Sequence, residues 1–326
     1  MHCKLLKDSR LSHRSQLTPY HMWPQLLLQI QQHNFKALAR CISLVENEFA
    51  GYHDFLTKLP TASNAAIIGI TGAPGAGKST LTDALIDALV AENKSVGVLC
   101  IDPSSPFNLG ALLGDRIRMS SWYNHPKVFI RSLATRGSLG GLHPHIIEIM
   151  SVMQLAEFDY IIVETVGVGQ SEIEIAGLAD TTVVVVVPES GDEIQTMKAG
   201  LMEIADVFVV NKSDRPDADM FVKNLRMMLA PAFNNINWEV PIIKTIALDK
   251  QGIYELVDAI KLHQKTVLTS DKKYWLLAEK AYQIIQQKRM KDINKQQLKT
   301  SIAAAFTSDN FNLFSFVNNA EKAAGK

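Results

Sequence analysis

The sequence predicts an α/β protein built on a doubly wound, mostly parallel sheet, with helical extensions at its N- and C-terminal ends. Three observations carry this. Between residues 64 and 266, short β-rich runs alternate with helical stretches, the pattern of strands joined by crossover helices. Several of those runs are apolar from end to end, as strands covered on both faces must be. On either side, residues 23–63 and 267–326 show helical spacing of apolar side chains and no strand signal.

Taken in order, residues 1–22 read as a disordered leader. Its first fourteen positions carry Lys4, Lys7, Arg10 and Arg14 against Asp8, a faint likeness to an organelle transit peptide without the amphipathic pattern. From Trp23 to about Leu59, Leu27, Ile30, Phe35, Leu38, Ile42 and Val45 recur at helical spacing, which predicts helix throughout. Strands are predicted at Ala66–Ile70, Ser95–Ile101, Lys127–Arg131, Tyr160–Val163, Thr182–Val187, Val207–Val210 and Pro241–Ile246. From Asp271 the chain reads as helix again, with Trp275, Leu276, Tyr282 and Ile285 among Lys and Gln. The tail from Asn310 is rich in Asn and Ala and is expected to fray.

Composition narrows the function. Hydrophobic residues make up 47% of the 326, enough for a large core. Lys+Arg and Asp+Glu are both 33, so no global field draws the chain to nucleic acid or an acidic membrane, and neither is an expected partner. An anion must therefore be held by a local site. Cys3, Cys41 and Cys100 are far apart and form neither a disulfide framework nor a paired metal motif. The longest apolar run, Thr182 to Val187, is of strand length rather than span length.

Such a local site is spelled out by Gly72-Ala73-Pro74-Gly75-Ala76-Gly77-Lys78-Ser79, followed by Thr80. This is the GxxxxGK[ST] pattern, and it follows a strand and opens a helix as it should. Glycines let backbone N–H groups turn inward around phosphate oxygens at a helix N-terminus. Lys78 supplies charge at the β- and γ-phosphates, and Ser79 offers a hydroxyl to Mg²⁺. Three acids fall near predicted strand ends or just beyond them: Asp102, Asp115 and Glu164. Ligands of doubly wound sheets bind beyond the carboxyl ends of strands, so these acids are candidate Mg²⁺ ligands, direct or through water. Gly167 is the candidate backbone donor to a γ-phosphate, in a segment whose position would follow that phosphate.

Asn211-Lys212-Ser213-Asp214, directly after an apolar strand, resembles the NKxD motif that reads guanine. Asp214 would accept hydrogen bonds from the guanine ring N–H and amine, Lys212 would pack along the base, and Asn211 would tie this loop to the phosphate loop. Adenine lacks those donors, and an unmet carboxylate rejects it. The backbone N–H of Ala247, after Thr245-Ile246, is expected at the guanine oxygen. GTP or GDP is therefore the expected ligand, and GTP hydrolysis the expected reaction.

Further motifs sharpen the resemblance. Asp102-Pro103-Ser104-Ser105-Pro106, Gly114-Asp115-Arg116, Thr135-Arg136-Gly137-Ser138-Leu139-Gly140-Gly141 and Glu164-Thr165-Val166-Gly167-Val168-Gly169-Gln170-Ser171-Glu172 are similar to the MeaB/ArgK family of methylmalonyl-CoA mutase-associated GTPases, over about Ala37 to Leu262. The resemblance implies a chaperone that gates cofactor loading and protects an adenosylcobalamin-dependent acyl-CoA mutase. It also implies a homodimer held by the C-terminal helices, and a further switch loop at Glu189–Lys198. Leu109 and Ala111 depart from the family's usual Gly and Ser in the first switch. The expected location is the cytoplasm, or the mitochondrial matrix in a eukaryote.

Rivals remain. An ATP-dependent kinase tied to amino-acid transport has no use for the guanine-reading residues. A metal-insertion GTPase needs a His or Cys cluster, whereas His143 and His145 flank Pro144 with no further ligands nearby in sequence and read as capping or surface residues. A non-enzymatic nucleotide-binding scaffold is disfavoured by Lys78 and Ser79. Arg116, Arg136 and Gln170 are the candidates for charge stabilisation or water positioning, and no arginine finger is evident.

Overall fold

The structure is a computed structural model that describes residues 19–60, 65–102, 119–134, 142–165, 174–188, 199–229, 238–267, 272–306 and 311–323. The chain divides into two compact units, Met1–Ser270 and Asp271–Lys326.

The first unit opens with three helices, α1 (Pro19–Gln31), α2 (Phe35–Glu46) and α3 (Tyr52–Thr57). This corrects the single helical run expected from Trp23 to Leu59. His33 and Glu48 take positive φ, 58° and 48°, and Gly51 takes 85°, so the chain turns twice. Asn34 then caps α2, its side chain accepting from the N–H groups of Lys36 and Ala37. The apolar spacing runs across the breaks because the helices bury their faces in one common core, α2 through Ala37, Leu38, Cys41, Ile42 and Val45. Trp23 stacks on Phe55 at 4.7 Å between ring centroids, and its indole N–H donates to the Ala50 carbonyl at 3.0 Å. Burial pushes the Cys41 thiol up to about 12, which leaves it a packing residue rather than a nucleophile.

Seven strands follow: β1 (Ala66–Gly72), β2 (Val96–Asp102), β3 (Val128–Ala134), β4 (Tyr160–Glu164), β5 (Thr181–Val186), β6 (Val207–Val210) and β7 (Ile242–Lys244). All pair in parallel in the order β3-β2-β4-β1-β5-β6-β7. The expected strands are all present, β6 with the expected ends and the others with altered ones. β3 continues past Arg131 to Ala134 because β2 gives it a partner up to Asp102. β7 shrinks to three residues because it is an edge strand and its neighbour β6 has only four.

Helix α4 (Lys78–Ala91) and helix α8 (Ile253–Val267) pack on one face of the sheet. Helices α1, α2 and α5 (Ile146–Gln154) pack on the other, around Leu99, Ile101, Ile161 and Val163. Helix α6 (Ala199–Ile204) leads into β6, and helix α7 (Ala218–Leu229) builds a third cluster on Val184, Phe208 and Val210. Each fully buried Ile or Leu contributes about 1.5–3 kcal/mol relative to exposure. That burial holds rigid the sheet from whose carboxyl ends the functional loops emerge. β1 lies where the winding reverses, so the crevice of a doubly wound sheet opens directly after Gly72.

The second unit holds α9 (Lys272–Met290), α10 (Lys295–Ala305) and α11 (Leu313–Ala323). Asn294 caps α10. Phe311 bridges Phe306 and Phe316, at 4.9 Å and 6.0 Å between ring centroids. Tyr282, Ile285, Phe306 and Phe314 stay exposed. Among the described residues, no helix is long and apolar enough to cross a membrane.

Candidate functional site

The phosphate loop leaves β1 through backbone that only glycine tolerates well. Gly72 sits at φ 137°, and a Cβ there would lie 2.1 Å from the Val185 carbonyl oxygen on β5. Gly77 sits at φ 88°, and a Cβ there would lie 2.3 Å from Asn211 Nδ2. The second contact shows that the guanine-type motif presses directly on the phosphate loop. α4 begins at Lys78, so its first N–H groups face the mouth of that loop.

Lys78 is buried, and its ammonium donates to the carbonyls of Gly72 and Ala73 at 2.8 Å and 3.0 Å. The cation thus folds back over its own loop. Ser79 and Glu164, far apart in sequence, meet at the end of β4: Ser79 Oγ donates to Glu164 Oε1 at 2.6 Å. Thr82 Oγ1 reaches Glu164 Oε2 at 2.8 Å. One layer below, Thr165 Oγ1 donates to Thr71 Oγ1 at 3.0 Å, tying the step after β4 to the step before the phosphate loop.

On the base side, Asn211 is a buried hub. Its Nδ2 donates to the Ala76 carbonyl at 2.9 Å, and its Oδ1 accepts from Thr245 Oγ1 and from the Ala247 N–H, both at 3.1 Å. Lys212, held at φ 55°, donates to the Gly75 carbonyl at 2.9 Å. Asp214 is exposed on the rim of this loop. The Ala247 N–H, the donor expected at a base oxygen, is directed at Asn211 Oδ1, so a base oxygen would share that donor.

Of the expected site residues, the structure brings together Gly72, Ala73, Pro74, Gly75, Ala76, Gly77, Lys78, Ser79 and Thr80 at one strand end, with Glu164, Asn211, Lys212 and Ala247 bonded to that group. Asp102 closes β2. The pairing of Cys100 with Glu164 places Asp102 two positions further along at the same sheet end. Asp115, Gly167, Arg116, Arg136, Gln170 and the segment Glu189–Lys198 lie outside the described residues. Thr82, Thr165 and Thr245 were missed by sequence reasoning. Thr82 was within reach of it, because it stands three residues after Ser79 and so shares its helix face.

Of the two roles expected of His143, capping or surface, burial removes the surface one. Its Nδ1 accepts from the His145 N–H at 3.0 Å just ahead of α5, and its Nε2 lies 3.8 Å from Glu46. Among the described residues no three His, Cys, Asp or Glu side chains gather as a metal site. The pair of Ser79 and Glu164 offers hard oxygens only. That suits a cation such as Mg²⁺, which takes its remaining ligands from phosphate and water.

Comparison with known proteins decides the family. The model for the methylmalonyl Co-A mutase-associated GTPase MeaB matches residues 38–304. The chain belongs to the MeaB family. The GTPase ArgK of Escherichia coli is 34% identical over 296 residues, covering 88% of this chain and 87% of ArgK. A Pyrococcus horikoshii protein with a provisional GTPase name is 47% identical over 260 residues, 78% of this chain and 81% of that one. A crystal structure of an LAO/AO transport system kinase superposes with a TM-score of 0.66 over 95% of this chain and all of that one, at 24% identity, which speaks for the fold alone. With this membership the chain is a GTPase.

Proposed function

We propose that the chain binds GTP with Mg²⁺ and uses the passage from triphosphate to diphosphate to gate cofactor loading and protection of an adenosylcobalamin-dependent acyl-CoA mutase of the methylmalonyl-CoA mutase type. The observation that carries the nucleotide half is the buried bond from Asn211 to the Ala76 carbonyl, which makes the base-reading loop and the phosphate loop one body. Asp214, exposed beside it, reads the guanine edge. Lys78 leaves its loop carbonyls to meet the phosphates and stabilises charge that develops on the transferred phosphoryl oxygens. Ser79 and Glu164 hold the Mg²⁺, with Asp102 and Asp115 as further oxygen donors; the ion, when bound, neutralises phosphate charge. Gly167 gives its N–H to the γ-phosphate, so that the segment after Glu164 follows the nucleotide state.

The partner half rests on the family's description as mutase-associated. In this reading the segments 166–173 and 189–198 carry the nucleotide state to the mutase, and residues 267–326 join two copies of the chain. The exposed Tyr282, Ile285, Phe306 and Phe314 of that region support the pairing, because a second copy would cover them. The test is the affinity for the acyl-CoA mutase of the same cells with GTP, GDP and no nucleotide. Affinities that differ between the states support the gating. Equal affinity in all three would end it, since a ligand with no differential affinity shifts no equilibrium.

A further inference from the structure

The bond between Glu164 and Thr82 has no part in the roles assigned above. Glu164 is one methylene longer than an aspartate, and its extra torsion must be fixed if one carboxylate oxygen is to stay at Ser79. Thr82 is fully buried and stands on the inner face of α4, one turn after Ser79. Its hydroxyl has one proton and two acceptors in reach, the Lys78 carbonyl at 3.0 Å and Glu164 Oε2 at 2.8 Å. The bond to the carbonyl four residues back is common for a helical threonine and by itself means nothing functional. The bond to a carboxylate is the stronger claim on the proton, because charge-assisted hydrogen bonds are roughly twice as strong as neutral ones.

We propose that Thr82 is a positioning residue for the magnesium side of the site: it holds Glu164 Oε2 on α4 so that Oε1 is presented to Ser79. The two carboxylate oxygens are thereby divided between two hydroxyls of one helix, Ser79 at 2.6 Å and Thr82 at 2.8 Å. Lys78, the residue before Ser79, stands at the start of that same helix turn. Phosphate loop, metal hydroxyl and acid therefore move as a unit. Thr82 itself is assigned no contact with nucleotide or metal and acts only through Glu164. The proposal rests on the assignment of Ser79 and Glu164 to Mg²⁺ made above.

The experiment is a double-mutant cycle on the full chain, reading the Mg²⁺ concentration that half-maximally slows release of a fluorescent GDP. Thermal stability of the nucleotide-free protein is measured alongside. Thr82→Val removes the hydroxyl at nearly constant shape and is expected to raise that concentration about tenfold, the scale seen when an outer partner of a metal ligand is lost. Thr82→Ser restores the hydroxyl and is expected to return it to within about twofold, the readout a mere packing role would not give. In a Glu164→Ala background, Thr82→Val should change nothing further. An equal tenfold effect in both backgrounds overturns the proposal, as does a Thr82→Val protein that loses stability and keeps its Mg²⁺ dependence. If Glu164→Ala itself leaves the Mg²⁺ dependence unchanged, the metal assignment fails instead, and the two failures are told apart.

Discussion

The two halves of the proposed nucleotide site are built differently. On the phosphate side the charged and hydroxyl groups are buried and bonded to one another: Lys78 to the carbonyls of its loop, Ser79 and Thr82 to Glu164. On the base side the buried residue is uncharged. Asn211 joins three loops, and the carboxylate that would read the base, Asp214, is exposed beyond it. The phosphate half keeps its charges in an internal network that a nucleotide must rearrange. The base half keeps a fixed amide strut and presents its reader to solvent. Chemistry and affinity should therefore fail at the first half when a charge is removed. Order and discrimination should fail at the second, through the strut and the reader respectively.

The largest expected effect is at Lys78. Lys78→Ala removes the cation from the phosphates and should lower single-turnover GTP hydrolysis on the order of 100- to 1,000-fold, the scale for losing one preorganised electrostatic contact. The fold should survive, because the phosphate loop stays anchored from the base side by Asn211 on the Ala76 carbonyl and Lys212 on the Gly75 carbonyl. Circular dichroism checks the fold, and phosphate release checks the rate. Unchanged hydrolysis would mean that this loop is not where the chemistry occurs.

Asn211→Ala comes next and probes the contrast from the other side. It takes away the donor to Ala76 and the acceptor for Thr245 and Ala247, all buried bonds. The expected cost is about 3 kcal/mol of stability, since the groups left behind lose buried partners. Chemical denaturation measures it, and a variant as stable as wild type would show that the strut is not structural.

The smallest effect serves as a control far from both halves. Asp159, just before β4, accepts from the Ser95 N–H, the Ser95 hydroxyl and the Lys94 ammonium. Burial pushes its carboxyl up, but those three donors outweigh it and hold the group below its ordinary 3.8. A depressed carboxyl contributes stability that is complete above the ordinary value and is lost as pH falls through the folded one. Asp159→Asn should cost about 1 kcal/mol or less at neutral pH, given its solvent exposure, and the gap to wild type should close below pH 3.8. Melting temperatures of the two proteins across that range decide it, and GTP binding should be untouched.

Much of this arrangement was legible from residues alone. The strands were visible because runs such as Thr182–Val187 are apolar on both faces, and the phosphate loop because Gly72 and Gly77 occupy conformations that other residues resist. The N-terminal helices read as one because apolar spacing records which face is buried and not whether the chain turns at His33 or Gly51. Thr82 was hidden for a related reason: a threonine in a helix ordinarily bonds its own backbone, and only the approach of Glu164 from β4 gives it a second acceptor. At Ala247 the sequence shows a donor's position in the chain but not the Asn211 oxygen that reaches it across 36 residues.

Above all, this site should read guanine through Asp214, held in place by a strut that does not itself discriminate. Competition of GTP, ATP and xanthosine triphosphate for one site, in wild type and in Asp214→Asn, puts that to the test. A carboxylate accepts from the guanine ring N–H and amine, whereas an amide offers a donor to the second carbonyl of xanthine. Wild type is expected to prefer GTP over ATP by a factor on the order of 100 or more, as when a polar site meets an analogue lacking its hydrogen-bonding groups. Asp214→Asn is expected to weaken GTP and to gain relative affinity for the xanthine nucleotide. Wild-type protein that binds ATP as tightly as GTP would refute the assignment.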